Sequence, residues 1–473
     1  MIELGRLGYP VMPRRHSATA HEADAAQLAA MGHKAELDRN FSTLSMMGLA
    51  FAILNSWTAL AASLSVALPS GGSTSVLWGL ITAGICNLCL AVSLSEYLSA
   101  YPTAGGQYHW VAVISWKRYV PILSWITGWI NVAGWIALVA SGGLLGSQLI
   151  VGIISLTHPN YSPERWHQFL LYIAYNIIAL VINAFMTSLL PLITKSAFIW
   201  SILGFVVISI TVLATASPEY NSAEFVFTNF LNTTGWPDGI AWLLGLLQAA
   251  GAICLLVFPL VCLLFATISI TTTSTRMTYA FARDGGLPFS RVFSKVHPKL
   301  GLPLNALWLT MTCVLLFGLI FLGSSSAFNA IVSASVVALG VSYAIPVAVG
   351  CLRGRKVLPE DRKFKLGAVA GWTCNLIGIA YVIVTTVLFL FPPDLPVTGS
   401  NMNYCVVAFF LVFVIAVVQW FVDGKKNFTG PRVDLDAIGE GHVVGIPVEG
   451  GEGTYEEGAT RKVSGSDGSG KGL

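Results

Sequence analysis

Polar residues set in the middle of long apolar runs are the chemically suggestive feature of this chain. The run GLAFAILNSWTALAASL holds Asn55, Ser56, Trp57 and Thr58 near its centre. A later run, WITGWINVAGW, holds Trp125, Trp129, Asn131 and Trp135. A polar group in hydrocarbon is costly unless it meets a partner, and discontinuous membrane helices use such a point to offer backbone N–H and C=O groups to a solute. The plainer alternative is that Asn55, Ser56 and Thr58 bond to a neighbouring helix or to their own backbone. Composition leaves these two readings level. Indole faces hold an ammonium or quaternary amine by cation-π attraction worth ~0.5–2 kcal/mol, although membrane Trp more often anchors or packs. Trp135 lies deepest of the set. Gly128, Gly134, Gly142 and Gly146 in the surrounding apolar stretch, 121–151, allow close approach by other helices. Glu96 is the acid that falls within a span, near its end, where it serves either as a proton relay or as a snorkelling, loop-bonded carboxylate. His109 and His167 stand alone, without His, Cys or carboxylate at metal-ligand spacing. No nucleophile or acid/base pair suggests an enzyme, and neither a metal nor a cofactor is expected.

These residues must be positioned by membrane helices. The chain is 55% hydrophobic and 10% charged over 473 residues, which excludes an ordinary soluble protein. Apolar windows of spanning length fall near 44–68, 75–99, 121–151, 168–189, 196–215, 239–270, 303–323, 327–351, 368–391 and 403–422. Ten crossings place both termini on one side. The positive-inside rule makes that side cytoplasmic, because Lys117, Arg118, Lys195, the group Arg276, Arg283, Arg291, Lys295 and Lys299, the cluster Arg353–Lys365, and Lys425, Lys426 and Arg432 then share it, and Arg165 alone opposes them. The reading is a polar tail over 1–40, a multi-pass domain over 41–423 and a low-complexity tail over 424–473, with no cleavable signal peptide. The modest charge of +3 is spread over loops, so nucleic acid is not an expected partner; the lipid bilayer is. All eight cysteines lie in or beside apolar runs, as buried thiols do, and Cys86–Cys89 lacks the context of a redox or zinc motif. Of four sequons, Asn160 and Asn232 fall in outer loops, where glycosylation is possible; those at Asn40 and Asn427 are internal.

One stretch breaks the regular spacing. Gly239 to Thr275 contains no charged residue and would be ~55 Å long as a helix, too long for one crossing and cramped for two. Its flanks have opposite charge bias, which requires an odd number of crossings. One oversized helix, from Gly239 to about Ala280, is therefore expected.

Three motifs, EYLSAYPTAGGQYHW (96–110), RMTYAFARDGGLPFS (276–290) and NMNY (401–404), together with ITGWINVAGW (126–135), resemble the fungal amino-acid/choline transporter family. That family belongs to the amino acid-polyamine-organocation superfamily and includes permeases for γ-aminobutyrate and choline. The resemblance runs from about Lys34 to Arg432. It implies an all-α integral membrane protein with the LeuT-type inverted-repeat transporter fold, and secondary transport of an amino acid, γ-aminobutyrate or choline, coupled to protons at the plasma membrane. No bound cofactor is implied. Ala52–Thr58 matches the first broken helix, so Asn55, Ser56, Trp57 and Thr58 would bind substrate, and Asn131 and Trp135 would face them from the third helix. Tyr101–Gly106 would form a tight or re-entrant cytoplasmic turn. The chain departs from the family after GIAWLLGLLQAA: Ala250 runs directly into a segment resembling the start of helix eight. The inner half of helix six and all of helix seven are missing, which leaves about ten helices and half of a binding site. A skipped exon or a faulty gene model would give this pattern. A non-transporting truncated isoform, or a regulatory membrane protein that binds its full-length relative, is the competing reading.

Overall fold

A computed structural model describes residues 42–54, 57, 71–158, 160–217, 222–235, 237–238, 257–298, 300–360, 362–392, 396–398 and 402–431. Its main elements are α1 (Thr43–Leu54), α2 (Gly72–Ala100), α3 (Gln107–Ile114), α4 (Val120–Thr157), α5 (Arg165–Phe185), α6 (Leu190–Ala216), α7 (Ala223–Thr228), α8 (Val257–Arg283), α9 (Leu304–Gly323), α10 (Ser325–Leu352), α11 (Ala368–Leu388) and α12 (Cys405–Gln419). Among the described residues nine helices are long and apolar enough to cross a membrane, and α1 is a shorter apolar helix. The chain is an all-α, multi-pass membrane protein. Of the window 44–68, only α1 and Trp57 are described; Asn55, Ser56, Thr58 and the rest of that run lie outside the described residues. The oversized helix is described from Val257 onward, and 239–256, with the Ala250–Gly251 junction, lies outside.

Two helices form the centre. α4 packs against α3, α5, α8 and α10, while α8 also meets α1, α5, α6 and α9. Apolar side chains on the outer helices point away from the protein, as on α2 (Leu80, Ile85, Leu88) and α12 (Phe410, Leu411, Phe413). Lipid rather than core covers such faces. The small residues on α4 have identifiable occupants: a Cβ on Gly128 would overlap the Phe281 ring, one on Gly142 would press on Thr267, and one on Gly146 would overlap Tyr175. Gly134 sits against Ala338 and Leu339. Glycine thus sets how closely α8, α5 and α10 approach α4. Replacing Gly128 by Val should destabilise the protein by roughly 1–3 kcal/mol through overpacking. Gly152 on the same helix has nothing within contact distance, so Gly152→Ala should be neutral or gain up to ~1 kcal/mol from helix propensity. Thermal unfolding of the two purified variants checks both; equal midpoints would contradict the packing argument.

Helix ends follow local chemistry. Pro121 and Pro191 stand in the first turns of α4 and α6, where the absent N–H costs nothing. Glu164 and His167 form a capping box on α5. Arg165, the basic residue that opposes the charge bias, donates from Nη1 to the carbonyls of Leu322 (3.5 Å) and Gly323 (3.3 Å), capping α9 where the helix dipole is negative. Sequence spacing placed Arg276 in the flank of α8, but the helix continues to Arg283 because nothing before Asp284–Gly285–Gly286 breaks it. There Gly285, at φ +83°, allows Gly286 N–H to reach Phe281 O at 2.8 Å, a Schellman stop.

Candidate functional site

Asn131 lies at the crossing of α4, α3 and α10 and is fully buried. Its Nδ2 donates to Ser342 Oγ (3.0 Å) and to Gln107 Oε1 (3.2 Å). The Ser342 hydroxyl spends its own proton on Leu339 O (2.8 Å), which fixes it as the acceptor. Both amide protons of Asn131 are therefore used, while its Oδ1 is buried with no hydrogen-bond partner. An unpaired buried acceptor costs ~1–3 kcal/mol, so it is expected to have an occupant at some stage of function. Pro346 lies one turn beyond Ser342 in α10 and cannot donate to its carbonyl. The chain locally has spare acceptors here.

The other expected site residues are placed differently. Trp57 donates from Nε1 to Ser201 Oγ of α6 at 2.8 Å and lies beside Gly204. Trp135 is buried within the apolar core around α4. Asn131 and Trp57 are thus tied to different neighbours, α3 and α10 in one case and α6 in the other. Trp125 and Trp129 do not form an open cage. Trp125 is surrounded by the rings of Trp129 (6.0 Å), Phe281 (6.1 Å), Trp420 (5.3 Å) and Phe428 (5.1 Å), and its Nε1 donates to Ala416 O. Side chains already cover the indole faces that an amine would need.

Two polar clusters were not foreseen as such. The 101–106 motif ends in a glycine turn, Gly106 at φ +54°, followed by α3, whose residues Tyr108–Ile114 are all buried. Tyr108 donates to Asp284 Oδ2 at 2.8 Å, linking this motif to the stop of α8. Burial, and then the adjacent Asp284 carboxylate, hold the Tyr108 phenol well above its ordinary range, so it remains a protonated donor. The second cluster surrounds Glu96, which is 1% exposed. Arg355 Nη2 (2.7 Å), Arg362 Nη2 (2.9 Å) and Leu366 N–H (2.8 Å) all donate to its carboxylate. Ser99 Oγ accepts from Phe364 N–H, and Tyr97 donates to Pro346 O. Of the two roles open to Glu96, this geometry fits the loop-bonded one: it fastens the end of α2 to the α10–α11 loop. Asn232, one of the outer sequons, has its amide engaged with Asp238 and Thr234, whereas Asn160 is exposed.

A family model described as amino acid permease matches residues 41–254 and 240–416. The chain belongs to the amino acid permease family. It is 30% identical to the choline transporter of Saccharomyces cerevisiae over 86% of this chain and 85% of that one. It is 32% identical to a putative amino acid/polyamine transporter of Macrophomina phaseolina, over 77% and 98% of the two chains, and 28% identical to an amino-acid permease of Arabidopsis thaliana, over 87% and 96%. The resemblance carried by the motifs at 96–110, 126–135, 276–290 and 401–404 is borne out. This permease-family protein has relatives named for transport of amino acids or choline across membranes rather than for catalysis.

Proposed function

We propose that the transport machinery in this chain is built for a small solute carrying an ammonium group, an amino acid, γ-aminobutyrate or choline, moved by alternating access coupled to protons. The free Oδ1 of buried Asn131 is the observation that carries this reading. It can accept from a substrate N–H, or from the hydroxyl of choline, but a quaternary nitrogen has no proton to give it. With the Trp125 ring closed by other rings, the balance moves from choline toward a primary ammonium. Asn55, Ser56, Trp57 and Thr58 of the first helix, and Trp135 on the same helix as Asn131, remain its expected companions.

We further propose that transport is impaired in this form. The alignment with the Arabidopsis thaliana permease spans 505 positions, more than this chain possesses, yet uses 87% of it. Against the yeast choline transporter, 86% of 473 residues is about 407, so about 77 of the 484 positions have a residue only in the relative, enough for two ~20-residue spans and their connections. The family match is split, with 240–254 in both parts. These observations support loss of a segment beside Ala250. A regulatory role beside a full-length relative is the second reading, supported by the same deficit.

The test of substrate class is uptake of labelled amino acids, γ-aminobutyrate and choline by a form restored with a relative's segment after Ala250, against empty vector. Asn131→Leu should lower uptake of the preferred amine by roughly tenfold or more, the loss of one buried charge-assisted hydrogen bond. No uptake of any of them by a surface-expressed restored form would overturn the substrate class.

A further inference from the structure

We propose that the α3–α4 and α10–α11 loops together form a docking surface for the anionic headgroups of membrane lipids. The two loops are one unit. Arg353 Nη1, at the start of the second, donates to the carbonyls of Ile114 (2.9 Å) and Ser115 (3.2 Å) at the start of the first. The second loop is also held to α2 by Arg355 and Arg362 on Glu96, and by Phe364 N–H on Ser99 Oγ. With those arginines consumed, Lys117, Lys356, Lys363 and Lys365 are exposed, and among the described residues none of them joins an ion pair. Arg118, also exposed, lies over the Tyr119 ring. The loop has two acids, Glu360, which is exposed, and Asp361, which lies outside the described residues, while the Glu96 carboxylate is enclosed by its own donors. The surface therefore keeps a clear positive excess.

The positive-inside bias needs only a surplus of charge near helix ends. Here the surplus is fixed in place and bordered by large apolar side chains: Trp116 and Tyr119 in the first loop, Leu352 at the end of α10 and Phe364 in the second loop, each at least 41% exposed. Indole, phenol and aliphatic groups beside lysines suit the depth where acyl chains meet headgroups. The first loop leads into α4 and the second joins α10 to α11, all of spanning length, so the lysines stand at headgroup level. A soluble anion would be indifferent to the apolar rim. A platform already ordered by the Glu96 cluster loses little conformational freedom when a lipid settles on it.

The measurement is lipid retention by the intact purified protein in native mass spectrometry, offered equal phosphatidylserine and phosphatidylcholine of the same acyl chains. A basic residue close to an anionic surface contributes about fivefold in affinity. Phosphatidylserine should be retained roughly tenfold or more over phosphatidylcholine, with the preference shrinking as salt rises. The combined variant Lys117→Gln, Lys356→Gln, Lys363→Gln, Lys365→Gln should lose that preference while keeping its thermal midpoint. Lys425→Gln with Lys426→Gln, outside the surface, should keep the preference. Equal retention by the unaltered protein, an undiminished preference in the fourfold variant, or full displacement by acyl-free glycerophosphoserine would overturn the proposal. None of these readouts depends on transport, so the result stands apart from the substrate reading.

Discussion

Restoring a relative's segment after Ala250 is expected to raise uptake of the preferred substrate by roughly tenfold or more over the 473-residue form at matched surface level, with the short form near the empty-vector level. The chain lacks the reach for a second break. The residues between Asp238 and Val257 extend ~27 Å at most as a helix, one bilayer crossing and no return. At the far side of that interval the chain is already committed. Trp200 donates from Nε1 to Phe258 O at 3.3 Å, the two rings lie 5.0 Å apart, and Phe258 also packs on Gly204 beside Trp57. α8 is thus docked on α6 from its first turn. A fold that alternates access through two broken helices facing each other needs a second break and a helix to return from it, and no residues remain to build them. Equal uptake by the short and restored forms would refute this.

Membrane helices and their order were legible because the bilayer imposes length and apolarity on each span separately, and a window of sequence contains both. The glycines of α4 were legible for a similar reason: small residues at helical spacing signal close approach whatever the partner. Partners themselves were not legible. Glu96 meets Arg355 and Arg362 across more than two hundred intervening residues, and Asn131 meets Ser342 across a comparable distance, pairings that exist only once α2, α4, α10 and α11 are assembled. Pro346 in α10 was a visible sign that Ser342 has spare bonding capacity, and RDGG marked the stop of α8 more sharply than Arg276 did. Whether Trp125, Trp129 and Trp135 form an aromatic cage or pack was left open by the sequence, because composition reports rings and not what covers them. Phe281 and Phe428 cover Trp125, one from the end of α8 and the other from beyond α12.

Removing the Glu96 charge is expected to destabilise the protein more than any other single change at this end. In Glu96→Gln, Arg355 and Arg362, whose side chains are 12% and 11% exposed, lose the group that compensates them. Breaking a buried ion pair from one side costs ~3–5 kcal/mol because a charge is left behind, and with so little exposure solvent screening recovers little of it. Replacing the whole cluster by apolar groups is different. Glu96→Leu with Arg355→Met and Arg362→Met strands no charge and should recover most of the loss, since buried ion networks and well-packed apolar substitutes are often of similar stability. Denaturant unfolding in detergent, followed by intrinsic fluorescence, measures both. The same pair of variants decides between the clamp and the proton relay. All three partners of the carboxylate are donors, which leaves no acceptor among them to pass a proton onward. A clamp predicts that the restored transporter carrying the apolar triple variant keeps proton-dependent uptake. If Glu96→Gln leaves stability unchanged but abolishes that uptake, and the triple variant abolishes it as well, the carboxylate is a relay and the clamp is wrong.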